Sequence, residues 1–160
     1  MFKISFKEED NCPCRIVEKA GKVTTVLYKG TVMLPKIWWY LPKEIFEWIK
    51  YRDSLEIYEN VANNTLIVYA KGKTKCADSD TYNSILGERI AEAKAKMVIY
   101  KFFANLCQRI YRYYEELLTG DKSLSVPSVN EGVAGDLLKY RKLYMIEKEH
   151  IKTLVENGNK

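Results

Sequence analysis

Glycine and proline are scarce in this sequence, eight and four among 160 residues, which argues against a loop-rich chain and for long regular elements with few connections. Histidine is scarcer still. The single one, His150, lies on a polar stretch near the C-terminal end, so no Ser-His-Asp or Cys-His arrangement is suggested. Neither a Walker loop nor a G-x-G-x-x-G fingerprint occurs. Asp78 and Asp80 stand two apart without further acidic partners, too few for a two-metal nuclease centre. The four cysteines are Cys12, Cys14, Cys76 and Cys107. Cys12-Pro13-Cys14 lacks both the C-x2-C spacing and the second ligand pair of a zinc site, so free thiols are expected. An even count allows two disulfides, but a chain of this length with its own core does not need them. The longest apolar run, Met97 to Cys107, is broken by Lys101 and Asn105 and falls short of a membrane span. Met1 leads straight into the alternating Phe2–Phe6 stretch, with no secretory pattern. The expectations are therefore no catalytic residues, no metal, no cofactor, no membrane, and a cytoplasmic location.

What is present describes one globular domain. Hydrophobic residues make up 47% and charged residues 29% of the chain, close to globular averages, so disorder is excluded. A chain of this length can bury roughly two-thirds of its unfolded surface. The net charge of +5 favours anionic partners, whether nucleic acid, nucleotide or an acidic protein surface, without choosing among them.

Along the chain, strands come first. Phe2–Phe6 alternates, and Arg15–Glu18 and Lys22–Tyr28 flank a turn at Ala20-Gly21. Thr31–Leu34 reads as a further short strand. Pro35 and Pro42 bracket Ile37–Leu41, an edge or irregular segment. Ile45, Phe46, Trp48 and Ile49 recur at helical spacing and predict a short amphipathic helix. Leu55–Tyr58 and Leu66–Tyr69 form a hairpin about Asn63-Asn64, its second strand continuing to Cys76. From Thr81 a long helix carries Ile90, Ala93, Met97, Ala104, Ile110, Tyr113 and Leu117 on one face and ends at Thr119-Gly120. Asp121–Gly135 reads as a loop. A last helix follows, with Leu137, Tyr140, Tyr144, Ile151 and Leu154 turned to the core. The fold class is α+β: an N-terminal antiparallel sheet with one short helix, then two long helices packed on it. A single domain spans 1–157, sheet 1–77 and helices 81–157, with a frayed tail at 158–160. The first long helix is apolar on nearly every side around Phe103, so it needs cover from the last helix or from a second copy, and a homodimer is an expectation.

The junction Lys75-Cys76-Ala77-Asp78-Ser79-Asp80-Thr81-Tyr82-Asn83-Ser84-Ile85-Leu86-Gly87-Glu88-Arg89-Ile90-Ala91-Glu92-Ala93-Lys94-Ala95 resembles a pattern in small proteins of phages and mobile elements. There a strand ending in Lys-Cys meets an Asp-x-(Phe/Tyr)-(Asp/Asn) step, then Gly and an Ile-Ala-x-x-(Lys/Arg)-Ala helix start. Asp80, Tyr82, Asn83, Gly87, Ile90, Ala91, Lys94 and Ala95 fill those places. The resemblance covers about twenty residues and implies a setting more than a chemistry. It implies an accessory protein acting in the host cell that counters a bacterial defence system by binding. The partner would be a host defence protein such as a CRISPR nuclease, or a nucleotide messenger. A single-strand nucleic-acid-binding module and a structural protein are the alternatives.

Within the junction, Asp78 and Asp80 suit the positive start of the helix. Tyr82 can fold over the first turn, or stack on a base while nearby basic groups hold a phosphate. Gly87, Ala91, Ala93 and Ala95 suit a close approach of helix to sheet. Further candidates are Arg89, Arg109 and Arg112. The last two are neighbours on one helical face, interleaved with Tyr111 and Tyr113, and suit phosphate and base contacts. Pairing with Glu115 and Glu116 is the bland alternative for them. Trp38 and Trp39 complete the set: one of the two should be buried and the other should face outward as an interface anchor.

Overall fold

The computed structural model describes residues 1–6, 14–50, 55–76, 83–120 and 127–158. Five strands form one antiparallel sheet: β1 (Lys3–Ser5), β2 (Arg15–Ala20), β3 (Val23–Met33), β4 (Leu55–Asn60) and β5 (Thr65–Lys75). The helices are α1 (Lys43–Lys50), α2 (Ser84–Gly120) and α3 (Pro127–Gly158). β3 and β5 pair over their whole length, from Val23 opposite Lys75 to Met33 opposite Thr65. β4 lies outside β5. On the other side of β3, β2 pairs with its first half and β1 with its last three residues.

The turns follow from local chemistry. Gly21, at φ +59°, takes the left-handed conformation between β2 and β3, and Asn64 takes it, at φ +52°, between β4 and β5. Glycine and asparagine are the residues that tolerate it. Thr31–Leu34 is not a separate strand: Lys29-Gly30 runs on within β3, and Gly30 leaves room for the Phe6 ring beside it. Ile37–Leu41 is not an edge strand either, because Lys36–Tyr40 winds into a 3₁₀ turn between the two prolines. α3 also starts earlier than the Gly/Pro/Ser-rich stretch suggests. Pro127 opens it, and a proline is well placed at a first helical position, where its missing N–H has no intrahelical partner to lose.

The core lies between the inner sheet face and α2. Val26, Tyr28, Val32, Leu66, Val68 and Ala70 meet Ala91, Ala95, Ile99, Phe102, Phe103 and Leu106. α2 approaches β5 so closely that a Cβ on Gly72 would stand 1.7 Å from the Ala91 carbonyl oxygen. The expected small-residue contact is there, made by Ala91 and Ala95. α3 packs along α2, so the apolar middle of α2 from Met97 to Cys107 is largely covered within one chain. Asp136 of α3 accepts a hydrogen bond from the Phe2 N–H at 2.6 Å, and the Tyr140 hydroxyl donates to the Phe2 carbonyl. α1 closes one flank, its Trp48 ring stacked on Phe102 at 5.6 Å.

Cys107 is fully buried on α2. Burial pushes its thiol up to about 12, with the Asp136 carboxylate adding to the effect. Thiol reagents are expected to leave Cys107 untouched in the folded protein while the half-buried Cys76 reacts, and to reach Cys107 only on unfolding. The unfolded thiol titrates near 9, so above that pH the folded state holds more protons than the unfolded one. The stabilising contribution is complete below pH about 9 and is lost as pH rises through about 12. Burial also raises Tyr28, Tyr100 and Tyr140, which act in the same direction. Denaturant midpoints should therefore fall across this alkaline window, and a midpoint that rose there would contradict the buried assignments.

Candidate functional site: the outer face of the sheet

α2 packs on one face of the sheet, leaving the other to be read from strand alternation. Along β5 the inward residues are Leu66, Val68, Ala70 and Gly72, all buried; the outward ones are Thr65, Ile67, Tyr69, Lys71, Lys73 and Lys75. Lys71, Lys73 and Lys75 are all exposed. The ladder fixes their neighbours: Tyr69 lies beside Lys29 and Glu56, Ile67 beside Thr31 and Tyr58, and Thr65 beside Met33 and Asn60. Lys29, though on this side, is buried and stands apart from the exposed stripe.

One end of this face is aromatic. Tyr58 is exposed and meets the Tyr69 ring edge-to-face at 5.9 Å. Its hydroxyl donates to the Glu56 carboxylate at 3.3 Å, and that negative charge raises the phenol above its ordinary value. Near the β4–β5 turn, the Trp39 indole N–H donates to the Asn64 side chain at 3.2 Å, while Asn64 donates to the Leu34 carbonyl. Met33, Tyr40 and Val61 are exposed near the same turn. The other end is basic, three lysines at every second residue of a strand that β4 no longer flanks. The face therefore grades from apolar and aromatic to cationic along one strand about 33 Å long.

The tryptophan question is decided by the 3₁₀ turn. Trp38 is 2% exposed, packed on Phe2 and Phe46, with its N–H on Glu59, whereas Trp39 is 49% exposed. Trp38 is thus a core residue, and Trp39 is the one available to a partner.

The remaining candidates do not gather into one site. Tyr82, Asp78 and Asp80 lie outside the described residues. The helix-start acceptor that is described is Asn83, whose side-chain oxygen takes the N–H groups of Ile85 and Leu86 at 3.1 and 3.0 Å. The Arg109 guanidinium lies over the Trp48 ring at 4.6 Å, a packing role for its planar head. Arg112 is exposed, and Tyr111, between the two, is held by Glu115.

Arg89 lines a cleft of about 230 Å³ between α2 and α3, with Glu92, Lys96, Glu147, His150 and Leu154. Its charges largely answer one another. Glu92 takes Lys96 at 3.4 Å and Arg15 at 3.5 Å, and Glu147 stands 3.4 Å from His150. Arg15 and Lys19 of β2 both pair with Glu88. This network ties β2 to α2 and leaves little unsatisfied charge for a ligand.

The lysine stripe is the part that sequence reasoning on the helices missed. Its signal is plain once the period is set to two: Tyr69-x-Lys71-x-Lys73-x-Lys75, with small residues between the lysines. The sheet and its two long helices, with no helix long and apolar enough to cross a membrane among the described residues, define an α+β domain with one sheet face that no described helix covers. Comparison with known proteins returns no matching family model, curated protein or solved structure.

Proposed function

We propose that this is a non-catalytic binding protein whose working surface is the outer sheet face and whose partner is anionic. The observation that carries the reading is the open face of β5, exposed aromatics at one end and Lys71, Lys73 and Lys75 at the other. Three like charges on one strand face repel one another, so their alignment is better explained by an anionic partner than by folding. The resemblance of the Lys75–Ala95 junction supplies the setting: a phage-type accessory protein, acting in the host cytoplasm, that inhibits a bacterial defence system. The face is open and extended rather than enclosed. That favours occupation of a large effector, such as a CRISPR nuclease, over sequestration of a small nucleotide signal, which needs a concave site.

A cell carrying an active CRISPR nuclease gives the test. Expression of the protein should restore plaque formation by a targeted phage, and the triple variant Lys71→Glu/Lys73→Glu/Lys75→Glu should not. Equal protection by both proteins would remove the sheet face from the activity. No effect of either on any defence system tried would remove the setting.

A further inference from the structure

We infer that the polyanion this face is built to take is single-stranded nucleic acid lying along β5, phosphates on the lysines and bases on the tyrosines. The inference rests on the reading of the outer face as the working surface, and it names what that face would engage on an effector that handles nucleic acid. Residues two apart on a strand present their side chains on one face about 6.7 Å apart. That is comparable with the interval between successive phosphates of an extended single strand, so Lys71, Lys73 and Lys75 can each meet one phosphate. The aromatic half completes the pattern. Tyr58 offers an exposed ring with Tyr69 supporting it at 5.9 Å, and an exposed ring beside a basic track is how unstacked bases are held regardless of sequence.

Among the described residues, the carboxylates of Glu56 and Glu18 share the face, and they orient the ligand. Glu56 lies beside Tyr69 and holds the Tyr58 hydroxyl, which disfavours a phosphate there and leaves the ring face for a base. Glu18 sits across β3 from Lys73, with Thr25 between them, and bounds the basic track on that side. A duplex fits poorly, because the described residues of this surface offer no projecting helix or ribbon to enter a groove and the bases that would use Tyr58 are stacked inside. The strand length from Tyr58's neighbour Ile67 to Lys75 accommodates a footprint of about four nucleotides.

Three phosphate contacts on a single strand imply a log–log salt slope of about −2. Anisotropy titration of the whole protein with labelled oligothymidylate at a series of salt concentrations reads it directly. The expected result is binding with that slope. Lys71→Gln/Lys73→Gln/Lys75→Gln should abolish the slope, and Tyr58→Ala should weaken binding about tenfold with the slope unchanged. All four side chains are on the outer face, so the variants should keep the thermal unfolding profile of the parent. Binding that all these variants leave unchanged would overturn the inference. So would a protein that ignores oligothymidylate at low salt yet binds polyglutamate through the same lysines. That outcome would assign the face to an acidic protein and leave the proposed surface standing.

Discussion

Gly72→Ala is expected to cost the fold about 3 kcal/mol or more, the upper end of what overpacking does. The added Cβ would stand 1.7 Å from the Ala91 oxygen, 2.8 Å from the Ala91 carbonyl carbon and 2.7 Å from the Ala95 nitrogen. All three are backbone atoms of α2, so no side-chain rotation relieves the clash. Either α2 lifts from β5, opening the core around Val68 and Ile99, or β5 is displaced from its ladder with β3. Urea unfolding measures it as a large fall in midpoint. Gly135→Ala is the matched control, since nothing lies within 4 Å of its built Cβ. In the interior of α3 it should stabilise by about 0.5–1 kcal/mol through helix propensity alone. A Gly72→Ala protein as stable as the parent would mean that α2 does not sit where described.

Asp136→Ala is expected to cost about 3 kcal/mol, because it leaves the buried Phe2 N–H without its acceptor. The carboxylate also lies 3.1 Å from the Met1 nitrogen, so a charge-assisted contact goes with it. Tyr140→Phe removes only the hydroxyl that donates to the Phe2 carbonyl and should cost about 1 kcal/mol. The two groups hold the same residue from one face of α3, four positions apart, so a double-mutant cycle should return a non-additive pair. Hydrogen exchange gives an independent reading. In Asp136→Ala, protection should fall first in β1 and the first turns of α3, while the β3–β5 ladder keeps its own. Uniform loss across the sheet would show that the contact matters for the whole fold rather than for docking β1 against α3.

Much of this was legible in sequence where a local rule decides it. The Ala20-Gly21 and Asn63-Asn64 turns, the amphipathic α1 and the long α2 follow from turn chemistry and periodicity, which need no distant partner. The misreadings have local causes too. Lys29-Gly30 looks like a break, but both residues pair with β5, opposite Tyr69 and Val68, where pairing outweighs glycine's poor strand preference. The stretch from Pro127 to Gly135 has loop composition, yet its helix is held by what its later turns bury, Val133 and Tyr140 among them.

The outer sheet face shows both limits. The alternation Tyr69-x-Lys71-x-Lys73-x-Lys75 put three lysines on one side of one strand, because a strand turns successive side chains to opposite faces. Whether that side faces water or core depends on where α2 lands, and that rests on Gly72 meeting Ala91 across nineteen residues of chain. The choice between Trp38 and Trp39 likewise waited on the 3₁₀ turn between two prolines. The clamp from Asp136 to Phe2 joins residues 134 positions apart. Local chemistry in the sequence determined the elements, their order and their two-faced patterns. Contacts between distant segments decided which faces were covered, because burial is a property of the packed layers and no single segment carries it.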